Sequence, residues 1–518
     1  MLYEYLFRLR HSRAARNAGS SYFALVSTTF TGLLSIPLAV HFLTAEELGL
    51  WAVITVFSGY LSQLELGIGA STGRMMADSI VKQDKLEIDR WWTLTRIILS
   101  LLGAAIVVVG LAITPIFLTQ MANDYSNRNE AMTLFATMVL IQGIKMPFQG
   151  VEGILIAQER FHWIPLRQSL IFWVELAVIA GCLFAGLKLY AMIWGQVATV
   201  LVAWSSNWFL LSKSKPNLDW NFTGLDRQRI RKIFGFSLNI SGLSFVQVVT
   251  RSIPVVLLGK FGGLGLVPIY TLTNKSATVL VTIGLRMYQS FYPNLQKLFI
   301  AGDLDGFQRK VPKVGILTIA SSLAVAGFLL CFNRMAVGVL AKPEFFAGII
   351  TTMWFAVAVI TIPLCAFLQM PLLVAGRMGK SVLAAVLQLL VGISISAWAY
   401  RSYGMTGLAG VSALLPLVLC AYGYVRSAAE CSCRPWVLFG PVILAALGAI
   451  TTVLFSGLGL ESFPYGEHSF SLFGKQVPFP SVPELTIGGG VILLATCLFI
   501  AGIRSMRSNH APAAPVCS

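Results

Sequence analysis

The chain is 518 residues long, 56% hydrophobic and 12% charged, with a mean hydropathy of +0.76. Soluble globular domains carry about 25% charged residues, so this composition excludes water as the main solvent and leaves no room for a separate soluble lobe. The formal net charge of +16 would suit nucleic acid, but the lysines and arginines sit in short connections between apolar runs, as in a membrane protein oriented by the positive-inside rule, and nucleic acid is not an expected partner.

Residues 1–16 form a basic N-terminus with Arg8, Arg10, Arg13 and Arg16. The apolar stretch behind it runs to Phe42, too long for a signal-peptide core and without a small-residue cleavage site, so a retained first helix is expected. A bilayer core about 30 Å thick takes roughly 20 apolar residues per helical crossing. Hydropathy punctuated by Gly, Pro and charge places about fourteen spans, near 17–43, 47–70, 92–119, 131–157, 163–187, 189–212, 232–259, 264–290, 312–340, 346–375, 381–400, 404–426, 435–458 and 485–505. The expected fold is an all-α polytopic membrane protein. Residues 17–212 make a six-helix N-terminal lobe and 213–231 a basic cytoplasmic linker. Residues 232–426 make a second six-helix lobe, 427–505 an extra helix pair and 506–518 a cytoplasmic tail. Connections on the N-terminal side hold roughly 26 Lys and Arg against roughly 7 on the other, so both termini are expected in the cytoplasm.

A weak internal repeat supports the two lobes. Leu48-Gly49-Leu50-Trp51 resembles Val267-Pro268-Ile269-Tyr270, and the same offset of about 219 residues carries Asp84 onto Asp303. An even number of spans per lobe makes the repeats parallel, and two such lobes facing each other enclose a central cavity.

Polar residues inside the spans fall on helical faces. The second span has Thr55, Ser58, Ser62 and Glu65, and the fourth has Gln142, Lys145, Gln149 and Glu152. The seventh has Ser237, Ser241, Ser244, Gln247 and Arg251, and the eighth has Thr271, Lys275, Thr278, Thr282 and Arg286. Steps of three and four give each helix one wet side. Hydroxyls alone read as helix-packing surfaces. Lys145, Arg251 and Lys275 lie far from the expected helix ends and need a hydrated cavity, an anion or a buried pair such as Lys145 with Glu152. Arg286, nearer the cytoplasmic end, can also snorkel. Glu65, Glu152 and Glu175 are candidates for coupling transport to an ion gradient, with structural pairing as the alternative. Pro147 and Pro363, at nearly matching places in the two lobes, are expected to kink their helices.

The eight cysteines are scattered, and the close pair Cys431 and Cys433 has no third ligand nearby, so no metal site is expected. No phosphate-cradling glycine loop, His-Glu-x-x-His or Gly-x-Ser-x-Gly occurs, and neither an enzyme nor a cofactor is expected. A membrane-embedded glycan polymerase or ligase is the enzymatic alternative. The outer segment from Gly459 to Glu484, with Phe463, Tyr465, Phe470, Phe473 and Phe479, reads as an aromatic belt or a contact for a polymerase.

The stretch from Ser35 to Val53, with Glu47-Leu48-Gly49-Leu50-Trp51, and then Leu64-Glu65-Leu66-Gly67-Ile68-Gly69, resembles the opening of polysaccharide transporters of the multidrug/oligosaccharidyl-lipid/polysaccharide flippase superfamily. The Gln83-Asp84 loop and the Ala157-Gln158-Glu159-Arg160 turn also fit, and the similarity covers the first twelve spans. The resemblance implies alternating access around a central cavity and translocation of an undecaprenyl-diphosphate-linked oligosaccharide across a bacterial cytoplasmic membrane. By analogy with the family's cationic cavities, Lys145, Arg251, Lys275 and Arg286 are the expected contacts of the diphosphate. Lipid-linked oligosaccharide and membrane lipids are the implied partners, together with a polysaccharide polymerase and a chain-length regulator. The first span lacks the arginine cluster of peptidoglycan-precursor flippases, which points away from that substrate. A cation-coupled multidrug and toxin extruder is the rival on the same fold; it would need an acidic cavity, and the first span has no acid.

Overall fold

In the bilayer interior a backbone can satisfy its own polar groups only as helix or closed barrel, and helix occupies the apolar runs of this chain. The computed structural model describes residues 13–65, 67–123, 125–212, 226–374, 379–430, 435–461, 469–472, 475–478 and 480–507. Its helices are α1 (Arg13–Phe42), α2 (Ala45–Ser62), α3 (Ile68–Val81), α4 (Lys85–Met121), α5 (Arg128–Lys145), α6 (Val151–Ala157), α7 (Trp163–Phe184), α8 (Tyr190–Ser212) and α9 (Arg227–Phe261). They continue as α10 (Leu266–Ile300), α11 (Leu304–Leu340), α12 (Ile349–Leu368), α13 (Met370–Val374), α14 (Gly379–Leu414), α15 (Pro416–Glu430), α16 (Pro435–Glu461) and α17 (Val482–Arg507). Residues 213–225 of the expected linker, Cys431 and Cys433 lie outside the described residues.

Ten helical stretches among the described residues are long and apolar enough to cross a membrane, and one of them, Ser381–Ser427, takes in two expected spans. The second, sixth and eighth expected spans are helical but do not meet that standard: the second is cut short by an interruption, and polar and aromatic residues dilute the other two. The all-helical expectation needs one amendment. Between α16 and α17, Ser469–Leu472 (β1) pairs antiparallel with Lys475–Pro478 (β2), Phe470 opposite Val477.

The chain folds into two compact units, Met1–Val249 with Leu258–Val267, and Thr250–Leu257 with Pro268–Ser518. Each contains the same helix-to-helix joint. Gln83 and Gly302 both take positive φ, 55° and 75°. Asp84 N–H then bonds Ser79 O, and Asp303 N–H bonds Leu298 O, which closes the preceding helix in a left-handed cap. The next side chain does the opposite job. Asp84 caps the Glu87 amide and Asp303 the Gly306 amide, and each opens a helix of 37 residues. The repeat offset of about 219 residues holds at both ends of these helices. Glu47 also caps: Thr44 and Glu47 exchange hydrogen bonds of 2.7 and 3.3 Å in a capping box.

Among the described residues several spans are interrupted. The second stops at a 3-10 turn, Gln63–Glu65, and restarts after Gly67 at φ 64°. The fourth stops at Lys145, passes through a 3-10 turn over Met146–Phe148 and restarts as α6. Pro147 sits in that turn, so the expected kink is a full interruption. At Pro363, α12 continues to Leu368 and breaks only before Met370. Gly284 on α10 leaves room for the Pro363 ring, since a Cβ there would stand 2.8 Å from Pro363 Cγ.

Bare backbone makes the closest packing. In the first unit α6 lies against α3 through Gly153, Gly69 and Gly73, and a Cβ on Gly73 would meet Gly153 O at 2.7 Å. In the second unit α17 lies along α11 through Gly327 and Gly488, and Cys331 Sγ donates to Glu484 O at 3.2 Å. Ser481 and Glu484 cap α17, so this helix begins earlier than expected and packs as part of the second unit. Small residues permit such contact where lipid supplies no hydrophobic drive. Gly153→Ala should lower stability by about 1–3 kcal/mol, because backbone has to move. Gly181→Ala, with open space around it, should be neutral or stabilising; thermal unfolding of both purified variants in detergent checks the pair.

Candidate functional site

The polar stripes of the first unit divide into packing and charge. Gln142 Nε2 donates to Ser58 Oγ at 2.6 Å, both side chains buried, and this pair joins α5 to α2. Thr55 and Ser62 donate to carbonyls of their own helix, so these members of the stripe serve the fold. Glu65 lies beyond the end of α2, in the 3-10 turn, and the expected continuous wet face ends at Ser62.

Lys145 is the last residue of α5 and stands half-buried. The expectation of a mid-helix cation is therefore corrected. Unpaired carbonyls at a helix C-terminus favour a positive charge, which explains part of its presence. It makes no ion pair or hydrogen bond among the described residues, and its nearest acidic influence is Glu175. That carboxylate accepts from Gln196 Nε2 at 2.6 Å.

Glu152 pairs with Arg167 and not with Lys145. Arg167, on the second turn of α7, has a side chain only 8% exposed. Its guanidinium donates to Glu152 Oε1 on α6 and to Asn207 Oδ1 on α8. Asn207 Nδ2 in turn donates to Phe148 O, a carbonyl in the interruption, at 3.1 Å. Glu65 feels both Glu152 and Arg167, and its carboxylate accepts from the Gly69 amide. Arg167 escaped sequence reading because a basic residue near the start of a span passes for an interfacial one. The available signal was an arginine inside an apolar run with Asn207 and Glu152 as polar residues on neighbouring spans.

The second unit is built differently. Arg251, in the part of α9 that belongs to this unit, and Lys275 on α10 make no hydrogen bond or ion pair among the described residues. Among the described residues no carboxylate influences either, and the group that Arg251 faces electrostatically is the Cys365 thiol of α12. Both have protein crowded around them yet keep accessible surface, Lys275 half-buried and Arg251 exposed. Arg286 is exposed further along α10.

The hydroxyls of this stripe are spoken for as donors: Thr271 donates to Pro268 O at 3.3 Å, Thr278 to Asn274 O at 3.0 Å and Thr282 to Val279 O at 2.5 Å. Each keeps lone pairs with which to accept. Ser237 and Ser241 have side chains outside the described residues. Cys365 accepts from Gln369 Nε2 at 3.1 Å. No group of three or more metal-ligating side chains occurs among the described residues.

Residues 14–299 match the family model described as polysaccharide biosynthesis protein. No curated protein matches the chain. Among solved structures, the lipid II flippase MurJ in an inward closed conformation superposes with a TM-score of 0.68 at 13% identity, over 94% of this chain and 99% of that one. An inward-facing multidrug resistance MATE family transporter gives 0.61 at 16% identity, over 77% and 95%. A transporter of the MOP superfamily from Pyrococcus furiosus, described as having a binding pocket of reverse polarity, gives 0.56 at 17% identity, over 82% and 97%. The fold is that of MOP-superfamily transporters, and the chain is a multi-pass membrane protein.

A half-buried cation without a counter-charge lowers stability. Lys275→Met should therefore raise the stability of the purified protein by about 1–3 kcal/mol. Thermal unfolding in lipid nanodiscs reads this directly, and a lower melting temperature would mean that Lys275 has a partner in the resting protein.

Proposed function

The chain belongs to the polysaccharide biosynthesis protein family, and from that premise we propose that it is a flippase. It moves an undecaprenyl-diphosphate-linked oligosaccharide across the bacterial cytoplasmic membrane by alternating access, for surface polysaccharide such as lipopolysaccharide or exopolysaccharide. The observation that carries this reading is the pair of uncompensated cations in the second unit. Arg251 and Lys275 have no acidic neighbour among the described residues, so an anion arriving from outside the protein completes their charge balance. In a partly desolvated site the attraction for a diphosphate amounts to a few kcal/mol. Arg251 supplies a planar fork and Lys275 a point charge, a combination suited to phosphate oxygens. Lys145, already influenced by Glu175, and the exposed Arg286 take secondary places. Hydroxyls able to accept support sugar recognition beside the head group.

The glutamates of the first unit support ion coupling. Glu65, Glu152 and Glu175 lie within electrostatic reach of Lys145 or Arg167. Arg167 holds Glu152 and Gln196 holds Glu175; Glu65 has only the Gly69 amide and is the carboxylate assigned to take up the ion. A cation exporter on this fold would need acids where Arg251 and Lys275 stand, and these side chains weigh against it. Both termini in the cytoplasm, and a polymerase with its chain-length regulator as downstream partners, complete the proposal.

Arg251→Ala and Lys275→Ala should each reduce surface polysaccharide at least tenfold while the level of protein in the membrane stays normal, as measured by glycan blotting against quantified membrane protein. Normal glycan output from both variants would remove the assigned site, and greater sensitivity of a deletion strain to cationic dyes would favour drug export. In proteoliposomes, Glu65→Gln should abolish the response of transport to an imposed proton or sodium gradient; an unchanged response would exclude Glu65 as the coupling group.

A further inference from the structure

The half-helix α6 has only seven residues; Val151, Ile154 and Leu155 pack it into a buried apolar cluster, and two further contacts act on it. On one side it meets α3 through glycine backbone, a flat apolar contact with no directional bond to fix its angle. On the other it is tied by one ion pair, Glu152 in its first turn to Arg167. The same guanidinium is held by Asn207, and Asn207 donates to Phe148 O just before α6 begins. Both sides of the interruption therefore carry a polar tie to one buried cation.

This arrangement has a spare valence. Arg167 Nε is buried without a hydrogen-bond partner. Glu65, at the interruption of the other broken span, stands beside Gly69, whose backbone abuts Gly153 next to Glu152, and it lies within electrostatic reach of Arg167. A guanidinium has five donors in a rigid fork and can pass between two carboxylates without leaving a buried charge alone.

We propose that Arg167 is a positioning residue that latches the half-helix α6, its guanidinium held by Glu152 in the described state and able to pass to Glu65 when α6 moves. The two interruptions, at Gln63–Gly67 and at Met146–Gly150, are then coupled through one side chain. Arg167 touches no transported molecule in this role; it sets where the interrupted fourth span stands. The inference deepens the flippase reading and rests on it for its purpose, but the latch itself exists without substrate.

Hydrogen–deuterium exchange on the full-length protein in lipid nanodiscs tests it with no substrate present. In Arg167→Gln and in Glu152→Gln, amides of residues 148–157 should exchange at least tenfold faster than in the unmodified protein, while α11 and α12 keep their protection. The double variant should exchange no faster than either single one, because all three break the same bond. Arg167→Lys keeps the charge but cannot span both acceptors, so it should protect this segment to an intermediate degree. Unchanged exchange in both single variants, additive acceleration in the double variant, or loosening of every helix together would each overturn the latch. Should Arg167→Gln fail to fold, Glu152→Gln, which keeps the shape of the side chain, carries the test alone. Loss of the latch with normal glycan output would refute its role in transport, whereas a normal latch with no glycan defect in Arg251→Ala would count against the flippase reading instead.

Discussion

A helix that stops inside a membrane leaves carbonyls and amides with no water to turn to, and much of this structure answers that constraint. The interruption after Lys145 strands the carbonyl of Phe148, and Asn207 satisfies it from a neighbouring helix. Asn207 is held in turn by Arg167, and Arg167 by Glu152 on the restarted helix. One stranded carbonyl thus requires a chain of polar groups across α6, α7 and α8. A cation at Lys145 offsets the carbonyl end of the helix that stops. Glycine on α3 and α6 removes the side chains that would otherwise keep the broken pieces apart.

Burying charge is tolerated only in balance, and the two units balance it differently. In the first, carboxylates and cations lie close enough to compensate one another, so each change in one is felt by the rest. In the second, Arg251 and Lys275 stand without acids. A pair already complete gains little from an incoming anion, whereas an incomplete one gains the full interaction. The two units thus differ in the distribution of carboxylates around their cations more than in the number of cations.

The joint repeated in the two units shows how local chemistry fixes long elements. A residue with positive φ closes one helix, and the aspartate after it opens the next. Gly302 adopts that φ freely, while Gln83 does so at some cost in strain, offset by the two hydrogen bonds of the cap. Cap and closure together set the start of α4 and of α11, and with it the depth at which every later side chain on those helices lies.

Periodicity, hydropathy and capping chemistry are properties of neighbours along the chain, so the amino-acid sequence by itself determined the helices, their approximate ends, the repeat through Asp84 and Asp303, and the polar faces carrying Lys145, Arg251 and Lys275. Whether a helix continues through a proline depends on what lies beside it: Pro147 falls in an interruption and Pro363 within an unbroken helix, beside Gly284, and no local pattern separates them. Pairing is likewise a matter of distance between residues far apart in sequence. Glu152 has Lys145 as its neighbour in sequence but bonds Arg167, a turn of α7 away in space. Only the tertiary structure could decide that Arg167 is the buried hub and that Arg251 and Lys275 lack acids, because charge balance is summed over contacts in space and not along the chain.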